Sequence, residues 1–188
     1  CNNIAMKKTL LVIPGFGESI RVTPYQNLIK AHKRQYNVIT FTPKWNYSVP
    51  SDWFAELELM LSKIDTDNTT VVSFSLGSYI ALLAAQNYKF NKLVLCSLSP
   101  FYSEQLSEMP DPAKIFFGKR RVNDFAKHKI PKHINKSSVV FLFGSDDWPL
   151  AIKEAKRLSK KYQGVFEIIP NTHHELTDEY LQLIHSNL

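Results

Sequence analysis

The residues best suited to chemistry in this sequence are three serines at the junction of two apolar runs. Ser73, Ser75 and Ser78 lie in VVSFSLGSYIALLAA (71–85), where a strand-like run changes into a helix-like run. Only Ser75 has a glycine two positions later, as in the G-x-S-x-G turn that exposes a serine hydroxyl above a sheet edge. Ser73 replaces the first glycine of that pattern. Taken alone, the stretch is more typical of a serine that caps a helix.

Possible partners for a nucleophilic serine follow later in the chain. A serine hydroxyl attacks well only when a histidine accepts its proton and an acid orients that histidine. Asp146 and Asp147 follow one apolar run, and His173 and His174 follow the next one. The order serine, acid, histidine is therefore present, with two candidates for each of the last two roles.

The elements that must position these residues alternate along the chain. Apolar runs rich in Val, Ile and Phe predict strands buried on both faces, at residues 9–13, 37–41, 70–74, 92–97, 138–143 and 165–169. Helical patterns lie between or after them, at residues 24–35, 52–64, 76–87, 150–162 and 176–187. Thr23 is the predicted N-cap of the first helix, with Pro24 at its first position. The alternation predicts an α/β fold with a mainly parallel sheet.

In this order, the strands and motifs resemble the α/β-hydrolase superfamily, in particular the small, minimal serine hydrolases of bacteria. The resemblance runs from Thr9 to Leu188. It implies one three-layer α/β/α domain over residues 1–188, with six strands ordered 2-1-3-4-5-6 and without the N-terminal hairpin often found in the family. The long, proline-containing connection 98–137 then takes the position of a lid-like insertion.

The resemblance also implies roles for particular residues. The family's acid commonly lies three residues after the glycine that ends its strand, which selects Asp147. Its histidine commonly lies four residues after a proline, which selects His174. The alternatives left open are Asp146 and His173. With Ser75 as nucleophile, no metal or organic cofactor is required.

The glycine-rich turn PGFGES is expected to form part of an oxyanion hole. By resemblance, the two donors are the backbone N–H groups of Phe16 and Leu76. Pro14 stands where the family often has histidine, but the backbone N–H groups do this work. The implied function is a carboxylesterase or thioesterase acting through an acyl-enzyme. The alternative is a non-catalytic binding module of the same fold.

The positive charge of the chain is concentrated in one segment. The net charge is +6, and residues 119–136 alone carry seven Lys and Arg against one Asp. The segment is either a solvated face or a surface for an anionic partner, such as an acyl carrier protein or coenzyme A. Binding of nucleic acid is not expected, because the segment contains no known motif. Aromatic residues expected to line an apolar acyl pocket are Phe16, Trp45, Trp53, Phe101, Tyr102 and Trp148.

Cysteine usage and hydropathy indicate the setting. Cys96 lies in an apolar run and is expected to be a buried thiol, and Cys1 begins the stretch CNNIA. Residues 1–5 are interpreted as a remnant of an expression tag or a flexible N-terminus. With no disulfide framework and no run long enough to span a membrane, a reducing, cytoplasmic location is expected.

Overall fold

The computed structural model describes residues 7–135 and 137–188, so the expectations for residues 1–5 lie outside the described residues. The elements in chain order are β1 (Thr9–Ile13), α1 (Thr23–His32), β2 (Asn37–Thr40), α2 (Pro50–Leu61), β3 (Thr69–Phe74), α3 (Leu76–Ala84), β4 (Lys92–Cys96), α4 (Asp111–Phe125), β5 (Ser138–Gly144), α5 (Pro149–Lys161), β6 (Val165–Ile169) and α6 (Asp178–Ser186). None of the helices in this part of the chain is both long enough and apolar enough to cross a membrane.

The six strands form one parallel sheet in the order β2-β1-β3-β4-β5-β6, which confirms the predicted architecture. The register places the carboxyl ends of neighbouring strands side by side. Ile13 pairs with Ser73, Phe74 with Cys96, and Gly144 with Ile169. Segments that follow β1, β3, β4, β5 and β6 therefore start from the same edge of the sheet.

Two apolar cores cover the two faces of this sheet. One face packs against α1 and α6, with Leu28 and Tyr180 among its buried side chains. The other face packs against α2, α3 and α5, with Trp53 and Leu158 among those buried there. Burial on both faces explains why the sequences of the interior strands β1, β3, β4 and β5 are continuously apolar and do not alternate. The prediction of burial on both faces was wrong for β2 and β6, because these are the edge strands of the sheet and keep exposed residues.

The start of α1 differs from the prediction. Thr23 is the first helical residue and Val22 occupies the N-cap position, without a side-chain hydrogen bond to the helix. Pro24 is consequently in the second helical position. The prediction of Thr23 as N-cap was wrong, because the proline ring is tolerated anywhere in the first turn, where the N–H groups have no intrahelical acceptor.

The long connection between β4 and β5 contains α4, a helix that the hydrophobic pattern did not predict. It is kinked at Gly118, whose φ is +73°. Asp124 in its last turn accepts the N–H of Ser51 at 2.7 Å, at the start of α2. The connection is thereby attached to the face of the sheet that α2 and α3 cover.

Candidate active site

Ser75 lies at the tip of the turn between β3 and α3. Its backbone has φ +53° and ψ −120°, a sparsely populated region for a residue with a side chain. Two hydrogen bonds hold this conformation: Ser75 N–H donates to the Cys96 carbonyl at 2.9 Å, and Tyr79 N–H donates to the Ser75 carbonyl at 3.1 Å. The turn therefore presents the hydroxyl of Ser75 above the sheet edge.

Two glycines allow the backbones around this edge to approach closely. A Cβ on Gly77 would lie 2.4 Å from the carbonyl oxygen of Pro14, at the end of β1. A Cβ on Gly144 would lie 2.0 Å from the carbonyl oxygen of Thr172, in the loop that carries the candidate histidines. No side chain fits at either position, so the spacing of the three loops depends on glycine there.

Ser75, His174 and Asp147 form one chain of contacts. Ser75 Oγ lies 2.9 Å from His174 Nε2, and His174 Nδ1 lies 3.0 Å from Asp147 Oδ1. With the proton on Nδ1, the ring donates to the carboxylate and leaves Nε2 to accept the serine proton. Asp146 and His173 do not join this chain; His173 Nδ1 lies 3.3 Å from the backbone carbonyl of Asp146.

The carboxylate of Asp147 is buried and remains ionised. Burial by itself opposes the negative charge, but hydrogen bonding and charge attraction from His174 outweigh it, with smaller contributions from Ser97 and Trp148. The pKa of Asp147 is therefore lowered below its usual value. The Trp148 N–H donates to Asp147 Oδ1 at 2.6 Å. A carboxylate in this state stabilises a positive charge on the adjacent imidazole.

The other two serines of this region, Ser73 and Ser78, make contacts within the fold. Ser73 Oγ lies 3.1 Å from Ser78 Oγ, and Ser78 Oγ donates to the Cys96 carbonyl at 3.1 Å. Both side chains are buried. They join β3 to the first turn of α3 at the position where the usual glycine is missing.

The β1–α1 turn is held in shape by Glu18, for which the sequence predicted no role. The Gly15 N–H donates to Glu18 Oε2 at 2.9 Å, and the hydroxyl of Tyr25 donates to the same oxygen. The N–H groups of Phe16 and Leu76 donate to no acceptor within the described parts of the chain. Both N–H groups are therefore available to donate to a ligand beside Ser75.

A cavity of about 600 Å³ opens onto Ser75 and His174. Three of the aromatic residues expected to line it do so: Phe16, Phe101 and Trp148. The other three, Trp45, Trp53 and Tyr102, are buried in the core on the α2 and α3 side, because their rings pack inward from the segments that carry them. Residues of the 98–137 segment complete the lining, namely Ser99, Pro110, Pro112, Ala113, Phe116 and Phe117.

Three polar residues near the site were missed from the sequence. Ser99 Oγ lies 3.2 Å from Ser75 Oγ and faces the cavity. Ser97 Oγ lies 2.6 Å from the hydroxyl of Tyr180, which accepts the N–H of Gly144 at 2.8 Å. A signal was present for the two serines, because SLSP (97–100) follows directly after β4, at the same sheet edge as the turn that carries Ser75. Nothing local to α6 marks Tyr180.

Searches with the sequence found no matching family model and no matching curated protein. Searches with the structure found many similar solved structures. Est1E from Butyrivibrio proteoclasticus, solved with ferulic acid bound, superposes with a TM-score of 0.75 at 17% identity over 99% of this chain and 88% of that chain.

Two further similar structures come from distant organisms. Alpha/beta hydrolase domain-containing protein 10 from mouse has a TM-score of 0.74 at 12% identity, covering 97% of this chain and 89% of its own. A structure described among carboxylesterases of the thaumarchaeon Nitrososphaera gargenis has a TM-score of 0.68 at 14% identity, covering 96% and 89%. At these identities the likeness concerns the fold.

Proposed function

The chain has the α/β-hydrolase fold, and we propose that it is a serine hydrolase that cleaves carboxylic esters or thioesters through an acyl-enzyme. The observation that carries this proposal is the contact chain from Ser75 through His174 to Asp147 at the floor of an open cavity. The hydrolases and esterases named among the similar structures support the same reaction class.

In the proposed reaction, Ser75 Oγ attacks the carbonyl carbon while His174 Nε2 takes the serine proton. The ionised Asp147 stabilises the imidazolium that forms. The backbone N–H groups of Phe16 and Leu76 donate to the oxyanion of the tetrahedral intermediate. His174 then protonates the leaving group, and a water molecule activated by the same ring releases the acyl group from Ser75.

The cavity favours an apolar acyl group. Its walls carry the aromatic rings of Phe16, Phe101 and Trp148, with Phe116 and Phe117 contributed by α4. Phe116 is 67% exposed, although large apolar side chains are usually buried. We infer that the 98–137 segment acts as a lid and that substrate covers part of this exposed ring.

A substrate carried by an anionic partner is part of the same proposal. Acyl carrier protein and coenzyme A both present acyl groups on a negatively charged carrier, and the 119–136 segment that carries the excess positive charge begins within α4. Charge attraction of this kind raises association rates and weakens with salt.

Substitution of Ser75 by alanine tests the chemistry. Ser75→Ala is expected to lower kcat for p-nitrophenyl butyrate by about 10⁴-fold or more and to abolish labelling by a fluorophosphonate probe. Absence of labelling in the folded wild-type protein would instead support a non-catalytic binding module.

Matched substitutions test the acid and the base. Asp147→Asn is expected to lower kcat by roughly 10³- to 10⁴-fold, because the imidazolium loses its carboxylate. The loss in Asp146→Asn is expected to be at least about a hundredfold smaller, since that side chain makes no contact with His174. His174→Ala and His173→Ala form the corresponding pair. Equal losses within either pair would contradict the assigned roles.

A further inference from the structure

We propose that a groove beside the catalytic cavity binds a phosphate-bearing nucleotide portion of the leaving group, as found in a coenzyme A thioester. The inference rests on the proposed hydrolase function and extends it to the part of the substrate that leaves. The groove has a volume of about 580 Å³ and lies between residues 46–48 and the kinked part of α4, residues 117–121. Ser75, His174 and Asp147 do not line this groove.

The groove adjoins the cavity at one residue. Phe117 lines both spaces, and the helical conformation of α4 is interrupted at Gly118, which follows it. In the proposed complex the acyl group lies beside Ser75 and the long leaving group extends past Phe117 into the groove.

Positive charge in the groove has no internal counter-charge. Lys119, Arg120 and Arg121 line it together, and no carboxylate does. None of the three forms an ion pair with a carboxylate of residues 7–135 or 137–188, whereas Lys114 and Lys127 of the same region are paired with Asp111 and Asp124. Three unneutralised cations in one groove favour a multiply charged anion.

Arg121 builds the groove, and the other two cations are left for a ligand. Its Nε and Nη2 donate to the carbonyls of Ser48 and Trp45, both at 3.0 Å, and its guanidinium lies 5.2 Å from the centre of the Phe16 ring. Lys119 is exposed and makes no side-chain hydrogen bond within the described segments. Arg120 donates one N–H to the Tyr47 carbonyl at 3.2 Å and has further donors to spare.

The ring of Tyr47 points to a nucleotide and not to phosphate alone. Tyr47 is 94% exposed and has a φ of +58°, an unfavourable combination for a bulky residue that contributes no packing. An exposed aromatic ring beside phosphate-binding cations is suited to stacking on a nucleobase. In the proposed complex the Ser75 Oγ–C bond forms first, as His174 takes the serine proton. The C–S bond of the thioester breaks when the tetrahedral intermediate collapses, and His174 gives that proton to the leaving thiolate.

Charge reversal tests the groove against a matched control. The double variant Lys119→Glu/Arg120→Glu is expected to lower kcat/KM for butyryl-coenzyme A by about tenfold or more, mainly through KM. The loss for the neutral butyryl thioester of N-acetylcysteamine is expected to be several-fold smaller. The control Lys129→Glu/Lys132→Glu makes the same change in net charge at exposed positions outside the groove. Equal losses in the two double variants, or for the two thioesters, would overturn the proposal.

Binding measured without turnover separates this inference from the hydrolase proposal. Coenzyme A is titrated into the Ser75→Ala protein by calorimetry, with and without the two groove substitutions. A dissociation constant that is at least about tenfold larger in the groove variant and unchanged in the control variant supports binding in the groove. This result stands even if the wild type hydrolyses no ester. Failure of coenzyme A to bind the Ser75→Ala protein would overturn the groove, while hydrolysis of p-nitrophenyl butyrate by the wild type would still support the hydrolase.

Discussion

Ser75 is a single residue that its surroundings hold in an unfavourable backbone conformation. A positive φ with a side chain costs on the order of 1–3 kcal/mol and persists only where the surroundings enforce it. The surroundings here are the hydrogen bonds of Ser75 N–H to β4 and of its carbonyl to α3, together with the missing Cβ of Gly77. The result is a hydroxyl at 2.9 Å from an imidazole nitrogen.

The close approach at Gly77 leads to a prediction for stability. A Cβ at this position would lie 2.4 Å from the Pro14 carbonyl oxygen and 2.7 Å from that of Ile13, and both are backbone atoms in a central strand region. Gly77→Ala is expected to lower the free energy of unfolding by about 2–3 kcal/mol in urea denaturation, through overpacking. The control is Gly118→Ala, where a Cβ meets no atom within 4 Å and only the positive φ is unfavourable. If the two variants lose the same stability, steric contact at Gly77 is not the cause.

Helix α6 contacts the candidate site through the loop before it and through the side chain of Tyr180. It follows the loop that carries His174, and its Tyr180 hydroxyl accepts the N–H of Gly144 at the end of β5. At its other end α6 packs on α1, where His185 Nδ1 contacts His32 Nε2. The hydroxyl of Tyr36 also donates to the Leu188 carbonyl at 3.0 Å. The position of the histidine loop thus depends on contacts at both ends of α6.

The contact between α1 and α6 should weaken in mild acid. Burial, and secondarily the neighbouring His185, lowers the pKa of His32 below its ordinary value of about 6.5. The folded state therefore favours the neutral ring, so its stabilising effect is complete above pH ~6.5 and is lost as the pH falls from there toward the lowered pKa. The melting temperature of the wild type is expected to fall more between about pH 7.5 and 5.5 than that of His32→Gln.

His128 titrates in the same direction, because burial lowers its pKa more than Asp124 raises it. It is present in both proteins, so the difference between their melting curves isolates His32. Parallel curves for wild type and His32→Gln would exclude the α1–α6 contact as the acid-sensitive one.

In the molecule as a whole, every group of the candidate site lies at one edge of the sheet. The loops after β1, β3, β5 and β6 supply the turn, the serine, the acid and the histidine, and the segment after β4 supplies much of the cavity wall. The interior strands beneath are covered on both faces. Because the loops at this edge can differ in length and sequence while the sheet stays the same, the site can vary without change to the core.

The thiol of Cys96 can report on unfolding of this core. Cys96 has no exposed surface, and burial raises the pKa of its thiol. In a Cys1→Ser protein, the rate of reaction with a disulfide reagent is expected to be about the rate in the unfolded chain multiplied by the equilibrium constant for unfolding, and to rise in parallel with the denaturant transition. Rapid reaction under native conditions would show instead that the carboxyl end of β4 opens locally.

The parallel sheet and the candidate serine could be predicted from the amino-acid sequence, and the strand order followed from the resemblance. Strands buried on both faces leave continuous apolar runs, and glycine two positions after Ser75 is a local steric requirement, so both are visible in the chain. The groups that follow β5 and β6 were also visible as two adjacent pairs. Each of these features depends on contacts close in sequence or on a regular pattern.

The member of each pair that makes the contact became visible in the folded chain, where Asp147 contacts His174 and His174 contacts Ser75. Adjacent residues in a loop point in different directions, and the direction depends on backbone contacts such as that between Gly144 and Thr172. Likewise, only the folded chain showed that Trp53 packs in the core, that Phe117 faces the cavity, and that Arg121 binds backbone carbonyls. These assignments depend on partners up to 99 positions away in the sequence, and local patterns carry no information about partners so distant.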